Sequence, residues 1–152
     1  MSDIRQINET YATIGAELID TEDALIDIRN SQATIVYLSS DAEKKEKGKV
    51  ILGQCERIQD KYKWGIPADF TITLFEPNIE GKSLEIIRRI IFHELLHVGI
   101  DTDDKTEEKY FVRPHDFEDF RECVQRWGVD WAENNCGFEA DIDEWKEVKA
   151  NG

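Results

Sequence analysis

The sequence predicts an α+β fold in which a small, mostly antiparallel sheet packs against one central helix. Three short segments rich in β-branched and aromatic residues predict strands. These segments are residues 33–39, 49–54 and 70–75. A longer apolar segment, which follows Ser83 and stops before Gly99, predicts a helix that is buried on nearly all sides.

The amino-terminal element is predicted to be a helix, because its apolar residues recur at spacings of three and four positions. They are Ile4, Ile7, Tyr11, Ile14 and Leu18, with Ala24, Leu25 and Ile28 in a continuation after Thr21. Such a stripe is typical of core packing, so no function is assigned to it.

The strands that follow are predicted from residue type and spacing. Residues 33–39 and 49–54 are expected to pair as a hairpin, joined by a charged turn that Gly48 closes. Residues 70–75 read Phe-Thr-Ile-Thr-Leu-Phe, an alternation typical of a half-buried strand. A strand of this kind can lie at a sheet edge, where an extended peptide adds to it by backbone hydrogen bonds.

The central helix is predicted to begin after Ser83, a residue suited to N-capping, and to continue through Val98 to a stop at Gly99. An acidic loop is expected over residues 100–108, and a short strand over Lys109–Val112. A last helix is expected from Asp116 to Gly128. Its predicted inner face consists of Phe117, Phe120, Val124 and Trp127.

The length of 152 residues predicts one domain over residues 1–152. Its core is expected over about 33–131, followed by an acidic C-terminal tail over 137–152. With 33 acidic and 19 basic residues, the net charge is −14. Phosphate backbones would be repelled by such a surface, so nucleic acid is not expected as a partner.

Three cysteines without paired spacing argue against a disulfide framework and fit a reducing compartment. The first residues lack the basic and apolar regions of a signal peptide, and no apolar run approaches the ~20 residues of a membrane span. A cytoplasmic protein with no membrane association is therefore expected. Its oligomeric state is left open.

The chemistry is indicated by His93–Glu94–Leu95–Leu96–His97, an HExxH motif within the most apolar predicted helix. Residues four apart share one helix face, with Cβ atoms ~5–6 Å apart, so His93 and His97 can bind the same metal ion. Glu94 would lie beside that ion and act as a general base toward water. Polar side chains buried without partners would each cost ~1–3 kcal/mol, and metal binding removes that conflict.

A catalytic zinc ion needs a third protein ligand and one open position. His115, the only histidine outside the motif, follows an acidic loop that can return the chain to the helix. Glu118 and Glu122 are the alternative third ligands, because some zinc sites combine two histidines with a glutamate. Zn²⁺ is the expected metal from this ligand set, with manganese and iron left open.

Further residues near the motif are candidates for supporting roles. Tyr110 or Arg113 could stabilise an oxyanion. Acceptors for the second ring nitrogens of the histidines are sought among Asp101, Asp103, Asp104 and Asp116. No other cofactor is expected. The strand–loop–helix around Gly81-Lys82-Ser83 departs from a phosphate-binding loop, because Glu76 and Glu80 would repel phosphates.

Several segments resemble the putative phage metallopeptidase family, which occurs in phages and prophages. They are Ile91–Gly99, Arg113–Phe120 and Gln125–Gly128, with looser likeness over Val50–Cys55 and Ala68–Ile72, together roughly residues 33–131. The site is also similar to that of SprT-like peptidases, in which a later histidine stands near the start of a helix. The resemblance implies a minimal zincin-like domain, with His93, His97 and His115 as zinc ligands and Glu94 as general base.

These observations predict a zinc metallopeptidase that hydrolyses peptide bonds in a peptide or protein substrate. If it is encoded by a phage, its place is the cytoplasm of the bacterial host. The alternative is a non-catalytic, acidic interaction protein of a phage or prophage with a structural metal site. A structural zinc has four protein ligands and no use for a base, so Glu94 favours the catalytic interpretation.

Overall fold

A computed structural model of the protein describes residues 2–102, 107–116 and 120–128. The chain divides into two compact units, residues 1–113 and 114–152. The elements of the first unit, in chain order, are β1 (Arg5–Ile7), α1 (Glu9–Thr21), α2 (Ile26–Arg29), β2 (Ile35–Ser40), β3 (Lys45–Glu46), β4 (Lys49–Val50), β5 (Gly53–Arg57), β6 (Phe70–Phe75), α3 (Glu76–Ile79), α4 (Leu84–Leu96), β7 (Val98–Asp101) and β8 (Lys109–Val112). Whether the two units act as the single predicted domain stays a prediction.

The main sheet of the first unit has the strand order β1-β2-β6-β5. Strand β1 pairs antiparallel with β2, and β5 pairs antiparallel with β6, whereas β2 and β6 run parallel. Two separate antiparallel hairpins are formed by β3 with β4 and by β7 with β8. The predicted α+β class with mostly antiparallel pairing is therefore confirmed, and it is consistent with a small zincin-like domain.

The predicted hairpin between residues 33–39 and 49–54 is wrong, because β6 lies between β2 and β5. All six side chains of β6 are buried, and burial on both faces favours the centre of the sheet. The predictions of a half-buried strand and of a peptide-accepting edge at residues 70–75 are wrong for the same reason. Both backbone edges of β6 are already paired.

The core of the first unit forms where α1 and α4 cover one face of the main sheet. Phe70, Ile72 and Leu74 supply the β6 side of this core. Ile87, Ile91 and Leu95 supply the α4 side, at the spacing of four that puts residues on one helix face. The HExxH segment is thus carried by a helix whose inner face is held by close packing.

The first helix begins later than predicted. Asn8 caps α1, and its side-chain oxygen accepts a hydrogen bond of 3.0 Å from the Tyr11 amide. Residues Arg5–Ile7 form the edge strand β1 instead, and Ile4 and Ile7 are largely exposed. The regular spacing was misleading here because strand pairing with β2, rather than helix packing, positions these residues.

The predicted start of the central helix is confirmed, but its predicted end is not. The hydroxyl of Ser83 accepts a hydrogen bond from the Ile86 amide. The helix stops at Leu96, and Val98 and Gly99 belong to β7 because this segment pairs with β8. Gly99 serves close packing there, since a Cβ atom would lie 2.5 Å from the Phe111 ring.

The region after α4 agrees with the sequence in part. The strand Lys109–Val112 is confirmed as β8, whereas Ile100 and Asp101 of the predicted acidic loop extend β7. Residues 103–106 lie outside the described residues, as do 117–119 and the predicted acidic tail over 137–152. None of the described helices has the length and apolar content needed to cross a lipid bilayer.

The described helix of the second unit is α5 (Arg121–Trp127). It begins five residues after the predicted Asp116, and Phe120 is its N-cap residue. Gly128 ends it as predicted, with a φ of 84° that glycine adopts readily. The predicted burial of Phe120 and Trp127 is not observed, because both side chains are exposed.

Candidate metal centre

Two imidazole rings meet at the C-terminal end of α4. His93 lies in the last turn of the helix, and His97 caps it four residues later. Their ring centroids are 5.2 Å apart, and the rings meet edge to face. His93 is exposed and His97 is half-buried, so a ligand from solvent can reach both. The helical spacing therefore provides two nitrogen donors for one ion.

His97 is held in place by the backbone of Arg113. The Nδ1 atom of His97 lies 2.6 Å from the carbonyl oxygen of Arg113. Because a carbonyl can only accept, Nδ1 is the donor, and in the neutral ring Nε2 is then the atom that can bind a metal. The Arg113 amide also donates to the carbonyl oxygen of His97 at 2.7 Å. These two bonds fix both the ring orientation and the backbone of this ligand.

His115 follows Arg113 by two residues, and each residue spans at most ~3.6 Å, so His115 cannot lie far from the residue that anchors His97. One ring nitrogen from each of His93, His97 and His115 lies within 4.8 Å of the others. Within residues 2–102, 107–116 and 120–128, these side chains form the group that could hold a metal ion. The three histidines singled out in the sequence are thus brought together.

Glu94 is the buried polar side chain of this region, with only 5% of its surface exposed. Its Oε2 atom has no hydrogen-bond partner in the described structure. Burial raises the pKa of the Glu94 carboxyl to about 7, although the neighbouring His97 acts to lower it. A carboxyl group with this pKa can both accept and release a proton near neutral pH.

Gly53, at the start of β5, sits against Glu94 and was not singled out from the sequence. A Cβ atom at this position would lie 3.1 Å from Cγ of Glu94 and 3.2 Å from Cγ2 of Ile90. The absence of a side chain thus lets the edge strand β5 approach α4 directly at the glutamate. An isolated glycine within a strand pattern indicates such an approach, so this contact could have been found.

The two candidate oxyanion residues differ in their surroundings. The hydroxyl of Tyr110 donates to Oε1 of Glu108 at 2.7 Å, and its ring lies 5.7 Å from that of Phe70. Arg113 meets His97 through its backbone. The hydrogen-bond partner of His97 Nδ1 is the backbone carbonyl of Arg113, and not one of the carboxylates proposed for this role.

Of the alternative ligands, Glu122 is the one that the structure describes, and it is not part of the group of three histidines. Glu122 is an exposed residue of α5. Glu118 lies outside the described residues, as do Asp103 and Asp104. Asp101 ends β7, and Asp116 follows His115. The choice of His115 over either glutamate as the third ligand therefore stays a prediction.

Comparison with known proteins extends the resemblance seen in the sequence. The family model described as "Putative phage metallopeptidase" matches residues 6–147. The chain belongs to this family. The phage metallopeptidase match reaches beyond residues 33–131 in both directions, and the histidine group agrees with the metal dependence that the family description states. No curated protein and no solved structure matches the chain significantly, and the likeness to SprT-like peptidases stays a prediction.

Proposed function

We propose that this member of the phage metallopeptidase family is a zinc-dependent peptidase, with His93, His97 and His115 as zinc ligands and Glu94 as general base. The observation that carries the proposal is the buried Oε2 atom of Glu94, which has no partner and stands between two of the histidines in sequence. A buried carboxyl oxygen without a hydrogen bond costs free energy of unfolding. A water molecule held for reaction would satisfy it.

The donor set fits zinc. Three neutral imidazoles with one open position make up a known type of catalytic zinc site, and imidazole suits zinc better than it suits magnesium or calcium. Two nitrogens that bind one tetrahedral zinc at ~2.1 Å lie roughly 3.4 Å apart, compared with the 4.8 Å that encloses the present group. Side-chain rotations that move the ring atoms by about an ångström would therefore bring the three nitrogens to the spacing that zinc requires.

The proposed reaction is hydrolysis of a peptide bond. A bound zinc ion supplies Lewis acidity toward the substrate. Glu94 takes a proton from the attacking water and delivers it to the leaving amine. The Arg113 carbonyl keeps Nδ1 of His97 protonated, which directs Nε2 to the metal.

The substrate is proposed to be a peptide or protein segment in extended conformation. Since β6 is central, the edge strand next to Glu94 is β5, and Gly53 of this strand lies against the Glu94 side chain. Arg113 is retained as the candidate oxyanion stabiliser, because the Tyr110 hydroxyl already donates to Glu108. We place the reaction in the cytoplasm of a bacterial host if a phage encodes the chain.

The alternative function, a non-catalytic acidic interaction protein with a structural metal, has less support. A structural zinc is normally held by four protein ligands. The group found among the described residues offers three, and the buried Glu94 next to His93 in sequence supports the catalytic assignment. No observation in the described part of the chain specifically favours the alternative.

The test measures metal content and peptide cleavage for the parent and three variants. Protein purified without chelator is examined by elemental mass spectrometry, and cleavage of a mixed peptide library is followed by mass spectrometry. We expect about one zinc per chain in the parent and in Glu94→Gln, with a large loss in His93→Ala and His115→Ala. Cleavage should fall by at least ~100-fold in Glu94→Gln, whose metal is retained.

Each result decides between the two functions. A stoichiometric metal with equal cleavage by the parent and by Glu94→Gln would remove the general-base assignment. A stoichiometric metal without cleavage of any peptide would favour a structural site. A parent chain that binds no metal at all would contradict both the peptidase proposal and its structural alternative.

A further inference from the structure

The β3–β4 hairpin is rich in lysine, although the chain as a whole is acidic. Residues 43–49 contain four lysines and two glutamates, whereas the net charge of the protein is −14. Lys44 is turned inward, where its ammonium lies 3.8 Å from Glu46 and 5.9 Å from the centre of the Phe75 ring. The other three lysines of the hairpin, Lys45, Lys47 and Lys49, are exposed. No described acidic side chain is within ion-pair distance of these three.

The hairpin has a defined conformation. Its turn residues, Lys47 and Gly48, have φ angles of 51° and 75°, as two-residue hairpin turns require. Its base is clamped by Asn78, whose Nδ2 donates to the carbonyl oxygens of Lys44 and Ile51 at 2.9 and 2.8 Å. The exposed lysines are therefore held in a fixed direction relative to α3.

The hairpin leads directly into the strand that borders Glu94. Lys49 precedes Gly53 by four positions, and a Cβ atom at Gly53 would lie 3.1 Å from Cγ of Glu94. At ~3.3 Å per extended residue, Lys49 lies within roughly 14 Å of Gly53. An extended peptide with one bond at Glu94 covers that distance with three to five residues.

We propose that this hairpin recognises acidic side chains of an extended polypeptide, three to five residues to one side of the peptide bond held at Glu94. That this polypeptide is also a substrate rests on the proposed peptidase function, but its binding to the hairpin does not require the reaction. Charges interact strongly only within the ~8–10 Å screening length of physiological salt. The local lysines, rather than the overall negative charge, therefore decide what binds at the hairpin.

The substrate class follows from this arrangement. An acidic segment is repelled by most of the surface and attracted at the hairpin, so its position along the protein is fixed by charge. A basic segment would instead be attracted to much of the acidic surface, so charge would not fix its position along the protein. Local acidity in a flexible polypeptide is thus the feature that this surface can select.

The experiment uses two fluorescein-labelled dodecapeptides of matched sequence, one with three clustered Glu residues and one with Gln in their place. Binding to the full zinc-loaded chain is measured by fluorescence anisotropy at physiological salt, where charges beyond ~8–10 Å are screened. We expect the Glu peptide to bind roughly three- to tenfold more tightly than the Gln peptide. This preference should disappear in Lys47→Gln/Lys49→Gln.

The matched control is Lys61→Gln/Lys82→Gln, which also removes two positive charges, from exposed lysines outside the hairpin. It should keep the preference for the Glu peptide to within twofold. Equal loss in the two double variants would show a general effect of net charge and overturn the proposal. Equal or undetectable binding of the two peptides by the parent would also overturn it.

Two further measurements separate this inference from neighbouring ones. Cleavage of both peptides at equal efficiency and with equal affinity would refute the hairpin assignment and leave the peptidase function standing. Selective binding of the Glu peptide without its cleavage would support the hairpin assignment and contradict the peptidase function. A labelled single-stranded DNA that binds more tightly than the Glu peptide, and loses binding in Lys47→Gln/Lys49→Gln, would assign the hairpin to nucleic acid and overturn the peptide proposal.

Discussion

Glu94 combines two properties that conflict in the metal-free protein. It is almost fully buried, and the Oε2 atom of its carboxyl group has no hydrogen-bond partner among the described residues. Burial therefore raises the carboxyl pKa from 4.5 to about 7. The folded protein then binds this proton more tightly than the unfolded chain does, so deprotonation lowers the free energy of unfolding.

We predict that metal-free parent protein loses stability between pH 5 and pH 8, and that Glu94→Gln loses less. The contribution of a raised carboxyl pKa is fully present below pH 4.5 and is lost as the pH rises through about 7. The expected difference between the two proteins is on the order of 2 kcal/mol. Urea unfolding in the presence of a chelator at the two pH values measures it.

The control for this prediction is Glu85→Gln, which changes an exposed glutamate of the same helix. Its pH dependence should match that of the parent. If Glu94→Gln and the parent instead lose the same free energy of unfolding, the Glu94 carboxyl is not strained by burial. Its fitness as a base at neutral pH would then need another explanation.

The site residues were predictable from the sequence to the extent that their side chains form patterns. The spacing of His93 and His97 and the scarcity of histidine made these candidate ligands, and then His115, stand out. The acceptor for Nδ1 of His97 is a backbone carbonyl, which every residue possesses, so no residue type could indicate Arg113 for that role. Side-chain chemistry is visible in a sequence, whereas backbone chemistry depends on the fold.

Among the elements, β5 and α4 are in close contact at Gly53. A methyl group at this position would lie 3.1–3.3 Å from Glu94 and Ile90 on the helix and from the Thr73 carbonyl on the neighbouring strand. Atoms on two elements would thus limit the space, and either these side chains or the helix would have to give by a few tenths of an ångström. The contact at Gly53 therefore both packs the edge strand against α4 and helps to position Glu94.

We predict that Gly53→Ala lowers the free energy of unfolding by about 1–3 kcal/mol, as overpacked sites typically do. Gly65→Ala is the control, because nothing lies within 4 Å of a Cβ atom there, and its effect should stay within about 0.5 kcal/mol. Urea unfolding at one pH compares the two variants. Equal stability would mean that Glu94 and Ile90 yield to the methyl group, and that the contact does not fix the helix.

The order of the strands could not be predicted from local patterns. The pairing of β2 with β6 aligns Ile35 with Phe70, residues far apart in the chain. Thr71 and Thr73 also made β6 look half-polar, although both are buried. Arg5 reaches across the sheet from β1, and its guanidinium donates to the Thr73 hydroxyl at 3.2 Å and to Glu56 at 2.6 Å. Long-range contacts of this kind leave no local periodicity.

For the whole molecule, the net charge of −14 acts against the compact state. Like charges are closer together in the folded protein than in the unfolded chain, so self-repulsion lowers the free energy of unfolding. Salt screens this repulsion within a distance of ~8–10 Å. Exposed ion pairs such as Lys63 with Asp60 are weakened by the same screening, but each contributes little.

We predict that raising the salt concentration from low to physiological levels increases the melting temperature of the metal-free protein at pH 7 by roughly 2–4 °C. The gain should largely vanish near pH 4.6, where the net charge approaches zero. Calorimetry with a chelator in all samples measures both. A melting temperature that falls with salt at pH 7 would mean that attractive pairs outweigh the overall repulsion.

The core between α4 and the main sheet has one more consequence. Its side chains are apolar and come from β6, α1 and α4, while the three histidines lie at or near the surface. Very small zinc domains fold only around their ion because they lack such a core. Here the first unit has an apolar core of its own, so we expect that core to form without an ion and to persist when one bound ion is exchanged for another. Which metal occupies the centre in a cell would then be decided by supply and exchange.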